Sequence, residues 1–286
     1  MSKRVYCSRE AGARSGLDRP VPSVSTQLGW PDHLAHCKVR WNLGRMGFAV
    51  EPGLYAVGQP SDQSPVLVTA NYRLTFDVLR RELTGLNTWI LVLDTQGINV
   101  WCAAGKGSFG TDELVQRMQR ERLAERVTHG QIILPQLGAV GVAAHEVKAQ
   151  TGFQVLYGPV YARDIKAFLN AGLKATQAMR CVHFTFYERL VLTPVEIMLS
   201  LKYLLGAAAV LMLLSGWTRE GYTVSTMLQQ GPRALGNLGV AFLSGACLGP
   251  ALLPWLPGRR FAVKGMFVGF IAALSLALAG LGGSRL

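Results

Sequence analysis

The sequence predicts an α/β domain, a flavodoxin-like or Rossmann-like parallel sheet, followed by an α-helical membrane domain. Three observations predict it. Apolar runs of strand length alternate with segments of helical period from about residue 65 to residue 186. Long charge-free apolar stretches are confined to the last third of the chain. Segments rich in Gly, Pro, Asn or Thr fall where successive strands end, the edge at which parallel sheets bind ligands.

Residues 1–24 are polar and rich in Arg, Ser, Gly and Pro, and read as a loosely ordered arm. From Pro65 the texture changes. PVLVTA reads as a buried strand and Leu74 to Leu86 as a helix. Strands are expected at Trp89 to Asp94, Gln131 to Leu134, Phe153 to Tyr157 and Cys181 to Phe186. The intervening helices are Thr111 to Val127, Val142 to Gln150 and Ala162 to Ala171, with Thr111 as N-cap of the first. The strand-end rule nominates Thr69 to Asn71, Asn99 to Gly107, Pro135 to Gly138 and Gly158 to Val160. The domains are expected at 25–190 for the α/β part and 191–286 for the membrane part.

No charged residue lies between Lys202 and Arg219, between Arg233 and Arg259, or between Lys264 and Arg285. About 20 apolar residues span a bilayer as helix, so three membrane helices are expected, near 194–217, 235–256 and 262–282. Pro250 and Pro254 should kink the second, because proline lacks the amide donor. GACLG and GMFVG place small residues four apart on the second and third helices. That spacing lets backbones approach closely, or merely reflects the high glycine usage of membrane helices.

The formal net charge of +12 raises nucleic acid as a partner, but Lys and Arg are spread along the chain without an aromatic-interleaved basic motif. No nucleic acid is expected. Arg259, Arg260 and Lys264, between two apolar spans, instead mark a short cytoplasmic loop. Met1 is followed by no apolar signal region, so the α/β domain is expected on the cytoplasmic side of a multi-pass inner-membrane protein. Cys7, Cys37, Cys102, Cys181 and Cys247 show no CxxC spacing, which argues against a zinc site or a disulfide framework.

One cysteine stands in an unusual setting. INVWCAAGKGSFGT surrounds Cys102 with Ala103, Ala104, Gly105 and Gly107, residues that give a short helix almost no side-chain bulk, so that something flat and wide could press on it. Cys102 and Lys106 are four apart and share a face. The unpaired amides at a helix N-terminus favour a thiolate. A phosphate loop fails twice, since Val100 stands where GxxxxGK[ST] needs Gly and Gly107 where it needs Ser or Thr. A lone cysteine is most often a small buried hydrophobe, and the residues alone leave that reading open.

NVWCAAGKGSFGT resembles the cap-helix signature of the HgcA family, the membrane-anchored corrinoid proteins of microbial mercury methylation. GLYAVGQP and SPVLVTANYRLTFDVLR before it, and LPQLGAVGVAAHEVK, GFQVLYGPV and LVLTPVEI after it, extend the likeness from about Ser25 to the third membrane helix. The corrinoid iron–sulfur protein family of acetyl-CoA metabolism shares the general fold and part of NYRLTFD.

The resemblance implies a corrinoid, a cobalamin-like cobamide, over Cys102, with the thiolate as lower axial ligand of cobalt and as the catalytic residue. It implies cofactor contacts from Thr69, Asn71, Asn99, Val100, Trp101, Ala103, Ala104, Gly105, Lys106, Gly107, Gln136, Gly138 and Gly158. The implied activity is methyl transfer to Hg(II), giving methylmercury. Implied partners are a ferredoxin-like iron–sulfur protein as electron donor, a methylated folate or its methyltransferase as methyl donor, and membrane lipid.

The histidine motif DxHxxG of other B12 proteins is absent, and His33, His36, His129, His145 and His183 read as ordinary polar residues. Val140 stands where the family pattern has proline. Members of the family carry four or five membrane helices, so the resemblance implies a truncated membrane domain. Two other readings remain: a membrane-anchored corrinoid methyl carrier or cobamide-binding module that does not act on mercury, and a flavodoxin-like electron-transfer domain.

Overall fold

The computed structural model describes residues 20–278. The part of the expected arm at 1–19 and the end of the third expected membrane helix lie outside them. The chain forms two compact units, one of the described residues up to Val39 with Gly44–Val182, the other of Arg40–Leu43 with the described residues from His183 onward.

The first unit is built on a five-stranded sheet of β1 (Gly53–Val57), β2 (Val66–Ala70), β3 (Thr88–Leu93), β4 (Gln131–Leu134) and β5 (Gln154–Tyr157), in the order β1-β3-β2-β4-β5. Pairing is parallel except between β1 and β3, where Gly53 opposes Val92 and Val57 opposes Thr88. The expectation of an all-parallel sheet with a strand at Cys181 to Phe186 is therefore corrected. The fifth strand is the antiparallel edge β1, and the chain at 181–185 is irregular. Within the expected arm, Val24 donates to Ala56 O and Ala56 to Pro22 O, both at 2.9 Å, which extends this edge by one bridge.

Every residue of β2 and β3 is buried, as a parallel sheet covered on both faces requires. One face packs Val68, Leu91 and Leu134 against α3 (Val100–Lys106), α4 (Thr111–Arg120), α5 (Leu123–Arg126) and α6 (Ala144–Thr151). The other packs Leu67, Ile90 and Ile133 against α2 (Arg73–Glu82) and α7 (Ile165–Asn170). The expected helix Thr111 to Val127 is broken at Arg122, whose φ of 49° is incompatible with a continuous helix. Its N-cap is Gly110, not Thr111, whose hydroxyl instead accepts from Ala143 N at 2.9 Å.

Chain direction explains the layering. The connection from β2 to β3 runs one way along the sheet and that from β3 back to β4 runs the other. Right-handed crossovers then put α2 on one face and α3 to α5 on the opposite one. The strand order reverses at β2, with β3 on one side and β4 on the other, which defines a switch point at its carboxyl end.

Ahead of β1, α1 (Trp30–Arg40) supplies Asp32 and His36 to α2. Asp77 accepts from His36 Nε2 and Arg80 Nε at 2.7 Å, while Asp32 takes Arg73 Nη2 at 3.0 Å and Arg80 Nη2 at 3.1 Å. Burial alone would raise the Asp77 carboxyl. The hydrogen bonds from His36 and Arg80 and the charges of Arg80 and Arg73 outweigh burial and hold it below the usual carboxylate range.

In the second unit α8 (Phe186–Leu190) leads into α9 (Thr193–Leu214). α10 (Val224–Leu243) continues through a π-helical stretch at Ser244–Leu248 into α11 (Gly249–Leu252), and α12 (Phe261–Leu278) follows. The stretches Phe186–Leu214, Val224–Leu252 and Phe261–Leu278 are long and apolar enough to cross a membrane. The second begins about three turns earlier than the expected 235–256, taking in Pro232 and Arg233.

Just before Pro250 the helix widens to π geometry over Ser244–Leu248. Pro254 lies beyond the end of the helix rather than kinking it. A Cβ on Gly245, Gly265 or Gly269 would meet nothing within 4 Å, so none of these three glycines marks a close helix contact among the described residues. Close approach occurs at Gly231, where a Cβ would overlap Met212.

Candidate functional site

The site begins at the switch point, and Asn71 fills it. Its Oδ1 accepts from Thr95 N at 3.1 Å, Thr95 Oγ1 at 2.8 Å and Gly97 N at 2.9 Å, and its Nδ2 donates to Asp94 at 3.3 Å. The turn it holds has Gln96 and Gly97 in the left-handed region, at φ 57° and 71°. Thr95 Oγ1, whose single proton is shared with Asn71 Oδ1, also lies 2.6 Å from Ile98 O and delivers the chain to α3. A buried amide with its oxygen used three times is spent on folding. Asn71, expected to contact a cofactor, is placed to fix the entry of α3.

Asn99 caps α3. Its Oδ1 accepts from Cys102 N at 3.0 Å, and its Nδ2 points to Cys102 Sγ at 3.6 Å. One side chain thus satisfies an unpaired helix amide and offers a donor to the sulfur. The C-terminus of the helix is Gly107 at φ 83°, a position that favours glycine.

The small residues of α3 divide between its two faces. Ala103 and Ala104 are buried, and Val100 with them, in the core against the sheet. Cys102, Gly105, Lys106 and Gly107 are exposed, as is Trp101 at 56 %. The expectation that all four small residues present a bare surface is corrected: half of them are packing. What remains outward is the sulfur of Cys102 with Gly105 three residues on, and a Cβ at Gly105 would meet nothing within 4 Å. Val140, in the turn beside this helix, is 78 % exposed.

Close packing behind α3 comes from Gly138, expected as a cofactor contact, together with Phe109 and Gly141, which the sequence did not single out. Phe109 is fully buried, and a Cβ on Gly138 would come within 2.5 Å of its ring. A Cβ on Gly141 would overlap Phe109 O and lie 3.1 Å from Ala104 Cα. Gly138 and Gly141 therefore let the 3₁₀ turn Gln136–Gly138 lie against α3. Two glycines three apart in LGAVGV were the available signal. Glu113 is a second such residue: its carboxylate accepts from Asp94 N at 2.8 Å and from Arg117 Nη2 at 2.8 Å, tying α4 to the end of β3.

The other expected contacts are dispersed. Thr69 is buried in β2 and shares the sheet face of Leu67, which α2 and α7 cover, opposite to the face of α3. Gln136 Oε1 accepts from Arg180 Nη1 at 2.7 Å. Gly158 follows β5, and a Cβ there would meet Ile133 at 3.0 Å. Cys181, expected to begin a strand, is exposed in irregular chain after a 3₁₀ turn. Among the described residues no group of three or more His, Cys, Asp or Glu could hold a metal ion.

Comparison with known proteins bears on this unit. Residues 41–169 match the family model described as CO dehydrogenase/acetyl-CoA synthase delta subunit. The gamma subunit of the acetyl-CoA decarbonylase/synthase complex of Archaeoglobus fulgidus is 34% identical over 123 residues, 42% of this chain and 26% of the relative. The corrinoid/iron-sulfur protein large subunit of Moorella thermoacetica is 34% identical over 126 residues, 43% of this chain and 28% of the relative. The chain spans about a quarter of the length of these curated relatives. The switch point, α3 and the glycine-lined turn all lie within the residues that this family model matches.

Proposed function

We propose that this chain binds a corrinoid over the outward face of α3, with the Cys102 sulfur as lower axial ligand of cobalt, and that it transfers a methyl group to inorganic Hg(II) as members of the HgcA family do. The observation that carries the corrinoid reading is the outward sulfur of Cys102 beside the open Gly105 backbone. A bare metal ion finds one soft donor there and no co-ligands among the described residues. A bound corrinoid would require one ligand from the protein for its cobalt and a backbone with little side-chain bulk under its ring, which Cys102 and Gly105 would supply. The residues present fit both requirements.

The bound corrinoid would supply a cobalt able to accept and release a methyl group. The chain's own contributions are local. Asn99 Nδ2, 3.6 Å from the sulfur, orients Cys102. The Cys102 sulfur would hold the cobalt, and the bound corrinoid would supply a methyl group that a soft electrophilic metal can accept. Electrons are assigned to a ferredoxin-like partner, and the methyl group to a methylated folate or its methyltransferase.

A second reading, a corrinoid methyl carrier that does not act on mercury, is supported by the names of the relatives. Anaerobic reconstitution of the full chain with a cobamide tests both. A sulfur-ligated spectrum that shifts in Cys102→Ala supports the site, and an unchanged spectrum contradicts it. Methylmercury formed from the methylated protein and Hg(II) selects the first reading; a loaded protein inert to Hg(II) selects the second.

We further propose that the α/β unit and the Arg259–Lys264 loop face the cytoplasm, by the positive-inside rule. The hairpin between Trp217 and Tyr222 then lies outside. An epitope inserted between Arg219 and Glu220 should be reached from outside intact cells, and protection there would reverse the topology.

A further inference from the structure

The helical unit contains a cavity of about 1080 Å³, large for a ligand site, lined by side chains from α8, α9, the α10 to α11 stretch and α12. Its walls are divided in character. Phe242, Leu253 and Phe261 are apolar, while Arg189, Arg259 and Lys264 bring three cations to it, against the single carboxylate of Glu196. None of these four charged groups forms an ion pair among the described residues.

Two of the cations are held in place by main-chain oxygens. Arg189 Nε donates to Ala251 O at 3.3 Å, its Nη1 donates to Phe184 O, and its guanidinium lies 5.4 Å from the Trp255 ring centre. Lys264 Nζ donates to Leu253 O at 2.6 Å. Carbonyl oxygens position a cation without neutralising it. Arg259 is exposed at the rim. Clustered positive charge without a carboxylate partner repels itself unless an anion is shared.

We propose that this cavity is a binding site for one anionic phospholipid, its phosphate headgroup met by Arg189, Arg259 and Lys264 and its acyl chain lying along Phe242 and Phe261. Charge and polarity choose the occupant. An excess of cations at the ends of three apolar helices meets the headgroup layer, where phosphate is the abundant anion. The apolar walls would be wasted on a free phosphate ion. A positive-inside signal alone would require only the charges, with no cavity between them. Arg260 separates the two explanations, because it sits beside Arg259 with the same charge and does not line the cavity.

The test uses the full chain in a non-ionic detergent and native mass spectrometry with phosphatidylglycerol or phosphatidylcholine added. One phosphatidylglycerol should be retained in preference to phosphatidylcholine. Arg259→Gln should weaken its retention by about tenfold, the scale of one lost hydrogen bond to a charged group, and Arg260→Gln should leave it unchanged. Equal weakening by the two variants would reduce the effect to general attraction and overturn the site. Equal retention of both lipids would overturn the role of the headgroup charge. Complete displacement by inorganic phosphate at matched ionic strength would assign the site to a free anion instead of a lipid.

Discussion

α2 and α3 leave neighbouring strands at the same switch point, cross to opposite faces of the sheet and treat their polar groups in opposite ways. α2 turns Asp77 and Arg80 inward, where His36, Asp32 and Arg73 close every charge against another. α3 keeps its alanines inward and turns its one reactive group, the Cys102 sulfur, to the outside with an amide beside it. Groups closed by partners supplied by their own unit contribute to stability. A soft donor held outward on a rigid short helix is available for a ligand. The comparison predicts that substitutions on α2 change stability, whereas substitutions on the outer face of α3 change chemistry.

The largest effect is expected at Cys102→Ala. Alanine suits the helix and removes an exposed group, so the unfolding midpoint should stay within about 0.5 kcal/mol of the wild type. Methyl transfer by the reconstituted protein should fall to background. A variant that unfolds early yet keeps its activity would place Cys102 with α2 as a structural residue.

Next comes Asp77→Asn. Losing the carboxylate leaves Arg80 and Arg73 short of a buried counter-charge, at a cost of about 3–5 kcal/mol. Because the folded Asp77 is held below its unfolded value, its contribution is complete above the ordinary carboxylate range and is lost as pH falls through the lower, folded value. Wild-type stability should therefore drop on acidification below about pH 4, and Asp77→Asn should show a shallower acid limb. Parallel acid limbs in denaturant titrations would break the assignment.

A pair of glycine substitutions sharpens the contrast between the faces of α3. Gly141→Ala drives a methyl into Phe109 O and Ala104 and should cost about 1–3 kcal/mol. Gly105→Ala meets open space in a helix and should stabilise by about 0.5–1 kcal/mol. The same outward methyl should weaken corrinoid binding, since it stands where the ring is proposed to lie. Matched stability changes, or undiminished corrinoid binding by Gly105→Ala, would remove the distinction. The smallest effect belongs to Cys181→Ala, an exposed residue in irregular chain, with stability within about 0.5 kcal/mol of the wild type and an unchanged corrinoid spectrum.

The amino-acid sequence by itself determined the strands β2 to β5, because buried parallel strands are short continuous apolar runs, and the three apolar helices, because a bilayer demands uninterrupted length. It also determined that Cys102 stands on a short helix beyond a strand end, through the turn residues before it and the glycine after it. Tertiary structure decided the rest. GLYAV and CVHFTF carry similar strand-like texture, and the edge of β3 is filled by the first, whose residues pair with β3 along five positions. The closed charge network joins residues more than forty positions apart, which no local pattern records. The outward direction of Cys102 depended on the same kind of distant contact. Gly138 and Gly141 approach so closely behind α3 that Ala103 and Ala104 are packed away, and the sulfur is left on the open side.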